Sequence, residues 1–115
     1  MQKLILVIII ILFISGCDNN KTNKQSNELT TIMNTKEYII VDVRTKDEYD
    51  TSHIIGAINI PYNEINDDII IDKAKTILVY CQSGNRSKIA QEALIKLGYE
   101  TYDLGAFKEI DLPKK

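Results

Sequence analysis

The chain predicts an α/β fold, a small and mainly parallel central sheet flanked by helices. Three observations carry this: short continuous apolar runs, patches of helical spacing between them, and turn residues at the joints. The runs Tyr38-Ile39-Ile40-Val41-Asp42-Val43 and Thr76-Ile77-Leu78-Val79-Tyr80 are too continuously apolar for strands with one wet face, so both belong in the middle of the sheet. Ala57-Ile58-Asn59-Ile60, ended by Pro61, is a third strand, and Thr101-Tyr102-Asp103-Leu104 a fourth. Over residues 87–97, Ile89, Ala90, Ala93, Leu94 and Leu97 recur at helical spacing, and Gly98 supplies the stop.

The 115 residues amount to one small domain with an appendage. Residues 4–14 are uninterruptedly apolar after Lys3. Eleven residues at helical rise reach roughly 16 Å, about half of a hydrocarbon core of roughly 30 Å, which fits the apolar stretch of a secretory signal better than a spanning helix. The following Ile14-Ser15-Gly16-Cys17 resembles the lipobox of bacterial lipoprotein precursors, with Ile14 where leucine is more usual. That resemblance implies cleavage after residue 16 and a diacylglycerol-modified Cys17, so that the protein is tethered to the cell membrane by lipid on the extracytoplasmic side. Residues 18–27 carry no apolar side chain and are expected to form, with Cys17, a flexible tether of roughly 17 Å root-mean-square span. The folded domain is then expected over residues 28–112.

Charge and cysteine content narrow the function. Losing residues 1–16 removes Lys3 from 14 basic side chains against 16 acidic ones, a mildly acidic balance with no nucleic-acid footprint. With Cys17 lipidated, Cys81 has no disulfide partner within the chain, and an exported unpaired thiol points to reactivity or an intermolecular role. No cluster of His, Cys, Asp or Glu has metal-ligand spacing, so neither metal nor cofactor is expected. The acidic stretch Glu64-Ile65-Asn66-Asp67-Asp68 reads as solvated surface.

Cys81-Gln82-Ser83-Gly84-Asn85-Arg86 joins a buried strand to the amphipathic helix. A cysteine there has its thiolate favoured by free backbone N–H groups and the helix dipole, with Arg86 a nearby positive charge. The plainer reading is a core cysteine behaving as a small hydrophobe. Gly84 gives the loop a positive-φ option and keeps a side chain out of the entrance. Arg86 either lines this anion cradle, the favoured reading, or packs outward in an ion pair.

Taken in order, Asp42-Val43-Arg44, Glu48-Tyr49, His53-Ile54-Ile55-Gly56-Ala57-Ile58-Asn59-Ile60-Pro61 and Cys81-Gln82-Ser83-Gly84-Asn85-Arg86-Ser87 resemble the successive motifs of the rhodanese family of sulfurtransferases, over residues 28–110. The resemblance implies a rhodanese-like three-layer fold with Cys81 as nucleophile and sulfur carrier. Gln82, Ser83, Gly84, Asn85, Arg86 and Ser87 would bind the substrate anion, and Asp42, Arg44, Glu48 and His53 would support the loop structurally. It further implies a small anionic sulfur donor, thiosulfate or a persulfide, and a thiol or cyanide-like acceptor. Outside the cytoplasm, a redox partner would keep Cys81 reduced.

Loop length bears on the chemistry. Relatives of this fold with one more residue between Cys and Arg are associated with phosphatase and arsenate-reductase activity, since a tetrahedral oxyanion needs a wider cradle. The six-residue form, with no aspartate inside it as a general acid, favours attack on sulfur. A non-enzymatic thiol redox or persulfide-binding module is the alternative from another class. Ser52 stands where a glycine often precedes the histidine, and residues 104–110 lack the family's second glycine and tryptophan, which suggests a shortened or altered C-terminal helix. Gln82 and Ser83 are neutral where a basic residue would aid capture of doubly charged thiosulfate.

Overall fold

The computed structural model describes residues 20–115, with side chains from Ser26 onward; the expected signal segment and Cys17 lie outside the described residues. Two compact units divide the chain at Thr35 and Lys36. In the first, α1 runs over Asn20–Thr35. The segment expected to be a flexible tether is therefore largely helical. Residues 20–35 contain no glycine or proline, and the hydroxyls of Thr30, Thr31 and Thr35 donate to the carbonyls of Ser26, Asn27 and Thr31 four residues back. A lack of apolar side chains removes a reason to pack, and does not remove the backbone's own hydrogen bonds.

The second unit holds β1 (Tyr38–Asp42), α2 (Lys46–Thr51), β2 (Ile58–Asn59), β3 (Thr76–Cys81), α3 (Asn85–Lys96) and β4 (Thr101–Ala106), with 3-10 turns at Tyr62–Glu64 and Phe107–Glu109. The sheet order is β2-β1-β3-β4, every pair parallel. The two continuously apolar runs occupy the two central positions, and all six residues of β3 are buried. This is the expected α/β architecture, a parallel sheet flanked by helices.

Strand alternation sorts the chemistry onto two faces. Val41, Val43, Ile77, Val79 and Cys81 point to one side, where they pack with Ala90 and Leu94 of α3 and with Tyr99. Asp42 and Tyr80 point to the other. The helix begins two residues earlier than its apolar pattern indicated, and its buried positions are Ser87, Ala90 and Leu94, while Ile89 is exposed. The apolar spacing is that of the observed helix, and its inward face also includes the Ser87 hydroxyl.

The β4 edge extends two residues beyond the expected strand, through a register shift between Val79 and Tyr80 where Gly105 takes φ +84°. The Phe107–Glu109 turn replaces a C-terminal helix. Residues beyond 112 belong to the unit as well. His53 and Lys115 exchange both backbone hydrogen bonds (3.1 and 2.8 Å), and Ile55 N–H donates to the Pro113 carbonyl at 2.8 Å. An edge segment finds backbone partners regardless of its side chains, which apolar patterning cannot register.

Candidate active site around Cys81

Cys81 closes β3, is fully buried, and carries a free thiol. The chain reverses immediately after it. Gly84, at φ +99°, is the N-terminal cap of α3 and provides no side-chain cap for the first-turn N–H groups. Its own N–H donates to Cys81 Sγ at 2.9 Å. Ser87 Oγ lies 3.4 Å from Sγ and donates to the Gly84 carbonyl at 3.1 Å; its hydroxyl can rotate to donate to sulfur when the thiol ionises.

Burial alone would push the Cys81 thiol up. The Ser87 hydroxyl and the backbone N–H groups of Ser87, Gly84 and Ser83 more than offset this, and the thiol titrates below its ordinary value. Gln82, Ser83 and Asn85 are exposed at the rim. The backbone therefore supplies the anion-stabilising groups, and the neutral rim side chains frame them.

The supporting charges form two separate pairs. Arg44 and Asp42 are buried together on the face opposite the thiol, with Nε donating to both carboxylate oxygens at 3.0 Å and Nη2 to Oδ2 at 2.6 Å. Arg44 also donates to the Ser52 carbonyl (2.6 Å) and to Gln82 Oε1 (2.9 Å), and its guanidinium lies 4.4 Å from the Phe107 ring centre. One buried cation thus ties β1, the end of α2 and the residue after Cys81. Below it, Asn59 Nδ2 donates to the carbonyls of Asp42 and Arg44, at 3.0 Å each.

Glu48 joins the second pair. Arg86 Nη1 and Nη2 donate to its two carboxylate oxygens at 2.7 and 3.0 Å. Of the two readings of Arg86, the ion pair is the one formed, with a bidentate partner on α2, while its charge remains close enough to interact with Cys81. The Arg86 hydrogen bonds, aided by the backbone and hydroxyl of Thr45, outweigh partial burial and hold the Glu48 carboxyl at about 2. Thr45 and Glu48 also form a capping box that starts α2.

His53 sits beside the site without facing the thiol. Its Nδ1 lies 2.8 Å from the Tyr49 carbonyl, and its ring stacks on Tyr49 at 3.9 Å between centres. Among the described residues no group of three His, Cys, Asp or Glu side chains is arranged to hold a metal ion. Two contributors escaped the sequence reading. Tyr80 Oη accepts the buried Ile54 N–H at 3.0 Å, and Phe107 covers the Arg44 guanidinium. Thr45-x-x-Glu48 was a readable signal for α2; nothing in the sequence announces the Tyr80 or Phe107 contacts.

The model of the rhodanese-like domain matches residues 25–110, and the chain belongs to this family. It is an enzyme of the rhodanese-type sulfurtransferase class. The thiosulfate sulfurtransferase PspE of Escherichia coli is 40% identical over 78 residues, which cover 64% of this chain and 75% of that protein. The thiosulfate sulfurtransferase GlpE of Coxiella burnetii is 33% identical, over 64% of this chain and 71% of its own. Among solved structures, a rhodanese with anions from E. coli is similar at a TM-score of 0.62 and 36% identity, covering 68% of this chain and 96% of that one.

Proposed function

We propose that the protein moves sulfane sulfur from a small anionic donor, such as thiosulfate or a persulfide, to a thiol or cyanide-like acceptor through a persulfide on Cys81. The convergence of backbone N–H groups and the Ser87 hydroxyl on a buried Sγ carries this reading. The thiolate attacks the outer sulfur of the donor, a sulfur–sulfur bond forms at Cys81, and the donor's own bond breaks to release its remainder as an anion. An acceptor nucleophile then takes the outer sulfur and returns the thiolate. Negative charge stays at this end of β3 throughout, where the donors already point. The test is thiocyanate formation from a sulfane donor and cyanide by the full chain. Loss of the activity in Cys81→Ser supports the proposal, and equal activity in both overturns it.

The same proposal includes a lipid anchor at Cys17, supported by the apolar residues 4–14 and the Ile14-Ser15-Gly16-Cys17 sequence. The domain would then work outside the cytoplasm, with a redox partner there to keep Cys81 reduced. Metabolic labelling with palmitate should mark the protein and fail to mark Cys17→Ser. Absence of label from the unaltered chain would remove the anchor.

A further inference from the structure

Resting on the proposed sulfur transfer, we infer that the site takes its sulfur from a singly charged or protonated alkyl persulfide in preference to doubly charged thiosulfate. Both guanidiniums near the loop are already engaged in ion pairs. Arg44 is buried against Asp42, and Arg86 is held by both oxygens of Glu48. The three exposed side chains of the rim, Gln82, Ser83 and Asn85, are neutral. Lys88, the next base along α3, is exposed to water, where a lone charge is screened. Among the described residues the cradle therefore offers dipoles and no uncommitted side-chain cation to an arriving donor.

Charge balance separates the two donors. When a thiolate attacks an alkyl hydropersulfide, the Cys81–sulfur bond forms, the donor's sulfur–sulfur bond breaks, the proton travels with the transferred sulfur, and the donor's remainder departs as a thiolate. One negative charge is present before and after. When it attacks thiosulfate, the same bonds form and break, sulfite departs, and the reactants together carry three negative charges. Backbone dipoles suffice to hold one charge, whereas gathering three at a buried sulfur calls for a cation. Gln82 adds to the preference: its Oε1 is taken by Arg44, so its amide is fixed as a neutral hydrogen-bond donor at the rim.

The experiment is single-turnover loading of the full chain with 2-hydroxyethyl persulfide, which has no charge besides the persulfide itself, or with thiosulfate, following by peptide mass the gain of one sulfur at Cys81. The expected second-order rate constant for the persulfide exceeds that for thiosulfate by roughly tenfold or more. Ser83→Lys should raise the thiosulfate rate by a similar factor and leave the persulfide rate nearly unchanged. Glu48→Gln, which releases Arg86, should move the ratio in the same direction. Equal rates, or faster loading by thiosulfate, would overturn the preference while leaving sulfur transfer intact. Failure of both donors to load Cys81 would overturn the preference and the sulfur-transfer reading together.

Discussion

Arg44 Nη1 donates to Gln82 Oε1 at 2.9 Å, so a cation buried on one face of the sheet reaches the residue that follows Cys81 on the other. The Cys81 loop is in this way braced by a charge buried on the face away from the sulfur.

Arg44→Ala should therefore be strongly destabilising. It strands the Asp42 carboxylate in the interior, a loss of about 3–5 kcal/mol for one partner of a buried pair. In a domain of this size that lowers Tm by more than about 10 °C. Arg44→Lys should recover little, because a point ammonium cannot bridge Asp42, the Ser52 carbonyl and Gln82 at once. Thermal denaturation followed by circular dichroism checks both, and an Arg44→Ala Tm close to the parent would contradict the bracing role.

Cys81 should react as a thiolate at lower pH than an ordinary cysteine. Hydrogen bonds that stabilise the charged form ease deprotonation, and here they outweigh the opposing burial. Removing the largest of them in Ser87→Ala should shift the midpoint of the alkylation rate with pH upward. Iodoacetamide modification of Cys81 across pH gives the measurement, and coincident midpoints would refute the role of the hydroxyl.

The Glu48–Arg86 pair sets an acid limit. The folded carboxyl sits at about 2, below the ordinary 4.5, so its stabilisation is fully present above about 4.5 and is lost as pH falls through about 2. With both partners partly exposed, the contribution is on the order of 1 kcal/mol. Glu48→Gln should be less stable at neutral pH and should flatten this part of the stability profile. Urea midpoints between pH 2 and 6 decide it; parallel profiles for the two proteins would exclude the pair as their source.

Tyr80→Phe removes a buried hydroxyl that serves Ile54 and also borders the Asp42–Arg44 pair. It leaves the buried Ile54 N–H without its acceptor at a cost of about 1–3 kcal/mol. Burial pushes the Tyr80 hydroxyl well above its usual range, so this support persists in mildly alkaline solution. A chemical-denaturation midpoint unchanged by the substitution would show that Ile54 finds another partner.

The legible parts of the molecule are those whose cause is local in sequence. Strands β1 and β3 were readable because burial on both faces demands unbroken apolar runs, and the Cys81–Ser87 loop because a glycine and a helix start must sit together to turn N–H groups onto sulfur. Contacts between distant segments left no such trace. The division of four charged residues into Asp42–Arg44 and Glu48–Arg86 depends on which sheet face each occupies, and α2 carries Glu48 toward Arg86 from 38 residues away. The helix Asn20–Thr35 was hard to see for the opposite reason, since residues 20–27 carry no apolar side chain and only Leu29, Ile32 and Met33 near its end mark a helical face.

The register that pairs Cys81 with Ala106 has a temporal consequence. β3 cannot be enclosed by segments that precede it alone, because its second neighbour is the last strand of the sheet, and such parallel pairing is intrinsically late. While the polypeptide is being made, the thiol is an ordinary accessible one without its hydrogen-bond donors or its cover. Damage by oxidants is accordingly a hazard of the unfinished chain, and the completed sheet is what turns an indiscriminate thiol into a selective one.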